Sequence, residues 1–281
     1  TDYRRLLAND DIQAVVICSS TDTHARIMIE AAKAGKHIFC EKPIALEMDK
    51  IDEALAAVRK AEVKLQVGFN RRFDPGFQRA KRLVESGKIG VPQLLRISSR
   101  DPQPPPLDYV KSSGGLFLDM MIHDFDMARF LLGEEVTELM ATGHCLIDPA
   151  IGKCGDVDTA VVLLKFQSGA LGTIDNSRQA VYGYDQRIEI FGSGGSVVVG
   201  NKTPTEVTIH NADSIQSDKP LHFFLERYQE AYLAEMNEFV ICVLDNKPPS
   251  VGGLDGKISV AMGYAALESI QSGRFVKIKR D

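Results

Sequence analysis

The sequence has no basic surplus. Its 281 residues carry 33 lysines and arginines against 38 aspartates and glutamates, a formal net charge of −5. A nucleic-acid-binding surface concentrates positive charge on one face. Here the densest basic stretches, Asn70-Arg71-Arg72 and Arg79-Ala80-Lys81-Arg82, are short and interrupted, and read as solvated helix faces. Nucleic acid is therefore excluded as a partner. No apolar run approaches the roughly 18 residues a membrane span requires; Ala14-Val15-Val16-Ile17-Cys18 is among the longer ones. The first residues, Thr1 to Arg5, lack the apolar stretch of a signal peptide. Five cysteines contain no C-x-x-C pair, and an odd number in a chain this long suits reduced thiols. A cytoplasmic protein is expected, and its 44% hydrophobic and 25% charged residues are ordinary for a globular chain. The length allows two domains.

What is present begins as an alternation of strands and helices. Ala14 to Cys18 reads as a buried strand, and a helix should run from about His24 to Ala34, capped by Thr21, Asp22 or Thr23 and ended by Gly35. His37 to Cys40 is a second strand, broken by Glu41-Lys42-Pro43. The next helix carries Ile51, Leu55 and Val58 on one face, and Lys64 to Phe69 alternates as a third strand. Three strands separated by helices imply parallel βαβ units. After a helix ending near Gly87 the pattern changes. Pro102, Pro104, Pro105 and Pro106 stiffen a loop, and Gly114-Gly115 opens a helix running to about Leu132. Strand signals then fill Glu135 to His210, with turns at Gln167-Ser168-Gly169 and Gly192 to Gly195, typical of an antiparallel sheet. Two long helices, about Phe223 to Asp245 and Leu254 to Gln271, precede a short strand near Arg274 to Ile278. The expected fold class is α/β: a partial Rossmann, doubly wound parallel unit over residues 1–90, then an α+β unit over 91–281 with a large, mainly antiparallel open sheet. The final helix is free to pack back on the first unit.

The sequence contains no G-x-G-x-x-G, the turn that lets a pyrophosphate approach a helix N-terminus. Gly192-Ser193-Gly194-Gly195 comes nearest, but strand-like segments flank it and a hairpin turn is the reading. With about 30 residues per βαβ unit, a complete doubly wound sheet would need roughly 50 more residues before Thr1. Either the chain is part of a longer protein that supplies them, and by itself is expected to bind a dinucleotide weakly and to be inactive, or it does something that needs no dinucleotide.

Three segments could carry chemistry. Ser19-Ser20-Thr21-Asp22-Thr23-His24 follows the first strand, where open α/β sheets bind ligands, although alone it is an ordinary helix cap. Cys40-Glu41-Lys42-Pro43 ends the second strand, with the proline holding Lys42 in a fixed direction; the plain alternative is an exposed turn lysine. The third is Gly114-Gly115-Leu-Phe-Leu-Asp119-Met-Met-Ile-His123-Asp-Phe-Asp126. Asp119, His123 and Asp126 fall at i, i+4 and i+7, one helical face, with Leu118, Ile122, Phe125 and Leu132 on another. A carboxylate one turn from a histidine holds the ring and raises its basicity, as a general base near neutral pH requires. A solvated polar face and a metal site are the alternatives, and one histidine with two carboxylates on a single helix is a weak metal pattern, so none is assigned.

In this combination and order, Asp119-xxx-His123 after paired glycines, Glu41-Lys42-Pro43 and Ser19 to His24 resemble the Gfo/Idh/MocA family of sugar and cyclitol dehydrogenases. Gly68-Phe69-Asn70-Arg71-Arg72-Phe73 and Met121 to Leu131 are most like its inositol 2-dehydrogenases. The resemblance covers essentially the whole chain. It implies a Rossmann domain followed by a domain whose open sheet builds a homodimer or homotetramer. It also implies NAD-dependent oxidation of a secondary alcohol on a polyol ring, myo-inositol to 2-keto-inositol, with NADP left open because the deciding acidic residue would lie upstream. Lys42, Asp119 and His123 become the catalytic set: His123 takes the hydroxyl proton, Asp119 supports His123, and Lys42 stabilises the substrate oxygen. Asn70, Arg71, Asp126 and a tyrosine of Tyr182-Gly-Tyr184 match positions against substrate hydroxyls. Ser19, Ser20, Thr21, His24, Glu41, Lys42 and Pro43 match positions beside the nicotinamide and its ribose, with Ser20 and Thr21 standing where many relatives carry proline and asparagine. Two other readings remain: a family member for another sugar, such as scyllo-inositol, a hexose or a deoxysugar, and a non-catalytic binding or regulatory protein on the same fold.

Overall fold

A computed structural model describes residues 2–279. After a short helix α1 (Arg4–Leu7), strands β1 (Ala14–Ile17), β2 (His37–Glu41) and β3 (Leu65–Gly68) form a parallel sheet in that order, linked by α2 (Thr21–Lys33) and α3 (Met48–Ala61). This is the expected βαβ arrangement. Ile38, Phe39 and Cys40 are buried in succession because helices cover both faces of the sheet. Met28 and Ala31 of α2 and Ile51, Leu55 and Val58 of α3 recur three or four residues apart and enter the same core. The register sets Ile17, Cys40 and Val67 side by side. The chain therefore leaves all three strands along one edge, at Cys18 to Ser20, Glu41 to Pro43, and Phe69 to Asn70. Helix α2 starts earlier than expected: its cap position is Ser20, which makes no side-chain cap bond, and Thr23 Oγ1 donates instead to the Ser20 carbonyl at 2.7 Å.

A 3₁₀ turn (Asn70–Phe73) and α4 (Pro75–Glu85), whose first amides donate to Asp74, lead to β4 (Pro92–Arg100). Helix α5 (Leu107–Ser113), a π-turn (Leu116–Met120) and α6 (Ile122–Leu132) come next. They are followed by β5 (Val136–His144), α7 (Pro149–Lys153), β6 (Thr159–Phe166), β7 (Leu171–Ser177), β8 (Asp185–Gly192) and β9 (Gly195–Val199). An exposed hairpin of β10 (Thr208–His210) and β11 (Ile215–Ser217), then α8 (Phe224–Arg227), α9 (Gln229–Leu244), α10 (Gly253–Ser272) and β12 (Val276–Lys277) complete the described chain. The large sheet has seven strands in the order β12-β5-β6-β7-β4-β8-β9. All neighbours are antiparallel except β4 and β7, which run parallel. Strict alternation explains its two faces: Ala160, Val162, Leu164 and Phe166 of β6 enter the core, whereas Val161 and Leu163 are exposed on the other side. The Gly192 to Gly195 segment is the β8–β9 hairpin turn.

Two further helices differ from expectation. The segment from Gly114 to Leu132 is not one α-helix, because Met121 N–H bonds to the Leu116 carbonyl, five residues back, before α6 begins. The Phe223 to Asp245 segment breaks at Tyr228 between α8 and α9. The last long helix, α10, joins both apolar cores. A side chain at Gly256 would meet Ile44, and one at Gly263 would meet Leu118 of the π-turn, so these glycines allow α10 to lie against the centre of the molecule.

Candidate active site

Lys42 and Asp119 come together from opposite sides of the molecule. The Lys42 ammonium donates to the Asp119 carbonyl at 2.7 Å and to Asp119 Oδ1 at 3.2 Å. Tyr109 of α5 donates to the same oxygen at 2.9 Å, and Arg178, just after β7, reaches Asp119 Oδ2 at 3.2 Å. Burial pushes the Asp119 carboxyl up, but Lys42, Arg178 and Tyr109 outweigh it and hold the group below the usual aspartate value. His123 is half-buried and packs edge-on against Phe69, with ring centres 5.9 Å apart. Its Nδ1 is buried and has no hydrogen-bond partner among the described residues.

The expected support of His123 by Asp119 is therefore corrected. Both carboxylate oxygens of Asp119 are engaged by Lys42, Tyr109 and Arg178, not by the imidazole. The π-turn is the reason, since Asp119 lies in the wider Leu116–Met120 turn and His123 in the α-helix after it, so the two do not share one regular α-helical face. Nor is the ring made more basic. Burial, then Lys42 and Arg71, hold its pKa well below the ordinary histidine value, leaving a neutral imidazole able to accept a proton.

Several substrate positions also change. Asp126 is fully buried, its carboxylate gripped by the Arg72 guanidinium, with Nε to Oδ2 at 2.8 Å. It is not available to a substrate. Arg71 turns inward to Asp124 and to Ser99 Oγ, and lies over the Tyr228 ring. Tyr184 is buried edge-on against Tyr228, 6.0 Å between centres. Tyr182 is exposed, donating to Asp185 and accepting from Arg100. Asn70 is buried in the 3₁₀ turn, its amide bonded to no protein group among the described residues.

On the cofactor flank, His24 is a buried tie and not an exposed contact. Its Nδ1 lies 2.8 Å from the Pro43 carbonyl and its Nε2 lies 2.9 Å from the Ser19 carbonyl, fastening the loop after β1 to the loop after β2. Ser19 and Ser20 are exposed beside it, Thr21 is half-exposed, and the Lys42–Pro43 peptide is cis. Glu41 is mostly enclosed, and burial raises its carboxyl pKa. Exposed serine hydroxyls beside an uncapped helix start, at the carboxyl edge of a parallel sheet, offer donors to a ribose and nicotinamide. These residues fit that end of a dinucleotide.

Sequence reasoning missed Tyr109, Arg178, Asp101 and Asp156. Asp101 stands 3.9 Å from Arg178, and its pKa is raised to about 6, by burial first and by Asp119 among other neighbours. Asp156 accepts the Leu116 amide with both oxygens, at 3.0 and 3.1 Å, and so anchors the start of the turn that carries Asp119. No local spacing marks them; they arrive from three connections of the large sheet, Asp101 and Tyr109 between β4 and β5, Asp156 between β5 and β6, and Arg178 between β7 and β8.

A parallel α/β sheet with a lysine at its carboxyl edge, facing an aspartate on a π-turn and a histidine on the helix that follows it in the second unit, defines a nucleotide-dependent oxidoreductase. The chain belongs to the Gfo/Idh/MocA oxidoreductases: residues 1–69 match the oxidoreductase family with an NAD-binding Rossmann fold, and residues 77–198 match the GFO/IDH/MocA C-terminal domain. NAD is the cofactor of that Rossmann fold. The chain is 52% identical to the myo-inositol 2-dehydrogenase of Thermotoga maritima over 99% of its own length and 83% of the relative's. The crystal structure of a probable dehydrogenase from the same organism superposes with a TM-score of 0.98 at 52% identity, covering 99% of this chain and 84% of that one. A scyllo-inositol dehydrogenase from Lactobacillus casei, solved with NAD(H) and scyllo-inositol, gives a TM-score of 0.91 at 32% identity over 99% and 84%. Among the described residues no helix is long and apolar enough to cross a membrane.

Proposed function

We propose that the chain oxidises a secondary alcohol of a cyclitol with NAD, and that myo-inositol, converted to its 2-keto product, is the substrate. The observation that carries this reading is the meeting of Lys42, Asp119 and His123 at the carboxyl edge of the parallel sheet. When bound, NAD supplies the acceptor for the carbinol hydride. His123, neutral and half-buried, takes the hydroxyl proton. Lys42 donates a hydrogen bond to the same oxygen and stabilises the negative charge that develops as the proton leaves. Asp119 aims Lys42 by fixing its ammonium. Ser19, Ser20, Thr21, Glu41 and Pro43 flank the nicotinamide and ribose, and Asn70 offers its unengaged amide to substrate hydroxyls. The likeness to the Thermotoga enzyme favours myo-inositol; the Lactobacillus complex supports scyllo-inositol as the second reading.

The reading extends to the whole chain. Residues 1–90 serve the cofactor and 91–281 the substrate and assembly. Leu94, Val161, Leu163, Leu171 and Phe191, exposed on the outer face of the large sheet, supply a homodimer or homotetramer contact. Residence in the cytoplasm completes it. The test is NADH formation with myo-inositol, scyllo-inositol and glucose. The expected order places myo-inositol first, and Lys42→Ala and His123→Ala each lower turnover by about 10²–10⁴-fold. Less than tenfold loss in both variants would overturn the roles, and preference for glucose would overturn the substrate.

A further inference from the structure

Asp119 is fixed from three directions, by Lys42 from the loop after β2, by Tyr109 from α5 and by Arg178 from the turn after β7. Arg178 is the unusual member. It is 2% exposed, and only Nη1 of its side chain has a hydrogen-bond acceptor; Nε and Nη2 are buried with none among the described residues. A buried arginine kept for stability satisfies its fork of donors, because each unmet buried donor is costly. Here most of the fork is unmet, and the charge is directed at one carboxylate. That pattern belongs to functional sites more than to structural ion pairs.

We propose that Arg178 is a positioning residue, which pins Asp119 Oδ2 so that Oδ1 faces Lys42 and holds the ammonium in the site. The proposal rests on the reading of Lys42 and Asp119 given above. The charged and titratable groups facing Asp119 are Lys42, Arg178 and Tyr109, which favour its ionised form, and Asp101 and Asp156, which oppose it. With Arg178 removed, Lys42 and Tyr109 stand alone against burial and two neighbouring carboxylates. Asp119 should then protonate at higher pH and release Lys42.

The experiment is a carbon-13 carboxylate titration of aspartate-labelled protein, with Asp119→Asn identifying the Asp119 signal. In Arg178→Met and Arg178→Gln the Asp119 midpoint should rise by roughly 1–3 units, the range for loss of an adjacent opposite charge. Arg178→Lys should restore part of the shift. Because a raised Asp119 midpoint itself costs stability wherever the group is ionised, the Arg178→Met protein should melt below the wild type at neutral pH, and the gap should narrow as pH falls through the Asp119 midpoint. An unchanged Asp119 midpoint, or a melting deficit in the Met variant that is the same at every pH, would overturn the proposal, the latter by showing a structural role. The Asp119→Asn protein separates this from the parent reading. If it turns over normally, the catalytic role of Asp119 fails while the titration result stands; if it is inactive and the midpoint is unmoved, only the role of Arg178 fails.

Discussion

Glu235 of α9 has almost no contact with solvent, and its Oε1 meets no partner among the described residues. Burial, with Glu41, Glu238 and Asp126 nearby, pushes its pKa up to about 9. The folded chain thus holds a proton that the unfolded chain releases near 4.5. Wherever the native state binds the extra proton, stability falls as pH rises. The penalty should therefore grow between pH 4.5 and about 9. Glu235→Gln keeps the shape without the ionisation, and its melting temperature should gain on the wild type steadily over that range. A constant gap in parallel thermal melts would contradict the burial account. Single residues are also where the sequence was most and least readable. Lys42, Asp119 and His123 stand in motifs whose order points to chemistry. Tyr109, on the short helix α5, and Arg178, in the turn after β7, carry no motif and acquire meaning only when the fold brings them to Asp119.

The element that decides the site is the π-turn between Gly114 and Met121. The glycine pair announces a backbone change, and the structure supplies its cause: Gly114 and Gly115 have φ of +89° and +76°, and a side chain at Gly115 would lie 2.6 Å from Asp156 Oδ1. Gly115→Ala should lose about 1–3 kcal/mol from backbone strain, with more from the displaced Asp156. Gly35 is the control, since its φ is +71° but no atom lies within 4 Å of an added Cβ. Gly35→Ala should cost only the strain. Denaturant unfolding distinguishes the two, and equal losses would remove the part assigned to Asp156. Apolar periodicity correctly revealed the helix after the turn, whereas α5 before it falls in the stretch read as a proline-stiffened loop. It could not reveal one extra residue inside it, because Leu118 and Ile122 remain buried in either geometry.

Across the whole molecule, Arg72 links Asp126 of α6 to Asp255 of α10, and Arg129 links Asp255 to Glu135. This chain of ion pairs and the long helix α10 lock the parallel sheet to the large one. The strands of the large sheet were legible from alternation, but their order was not, and the parallel β4–β7 pair has no local signature. Its exposed outer face carries the remaining prediction. Leu163→Lys should leave the fold intact, as an exposed substitution usually changes stability by less than about 0.5 kcal/mol. It should also shift the mass in light scattering toward a smaller species. An unchanged mass would remove this face from the assembly.

The reach of Lys42 to Asp119 has one more consequence. The ammonium belongs to one sheet and its carboxylate to the structure built on the other. Neither portion of the polypeptide owns a working fragment of the chemistry, so a partly folded chain has nothing with which to react prematurely. Turnover then serves as an alignment gauge, falling silent at the first slippage between the two halves.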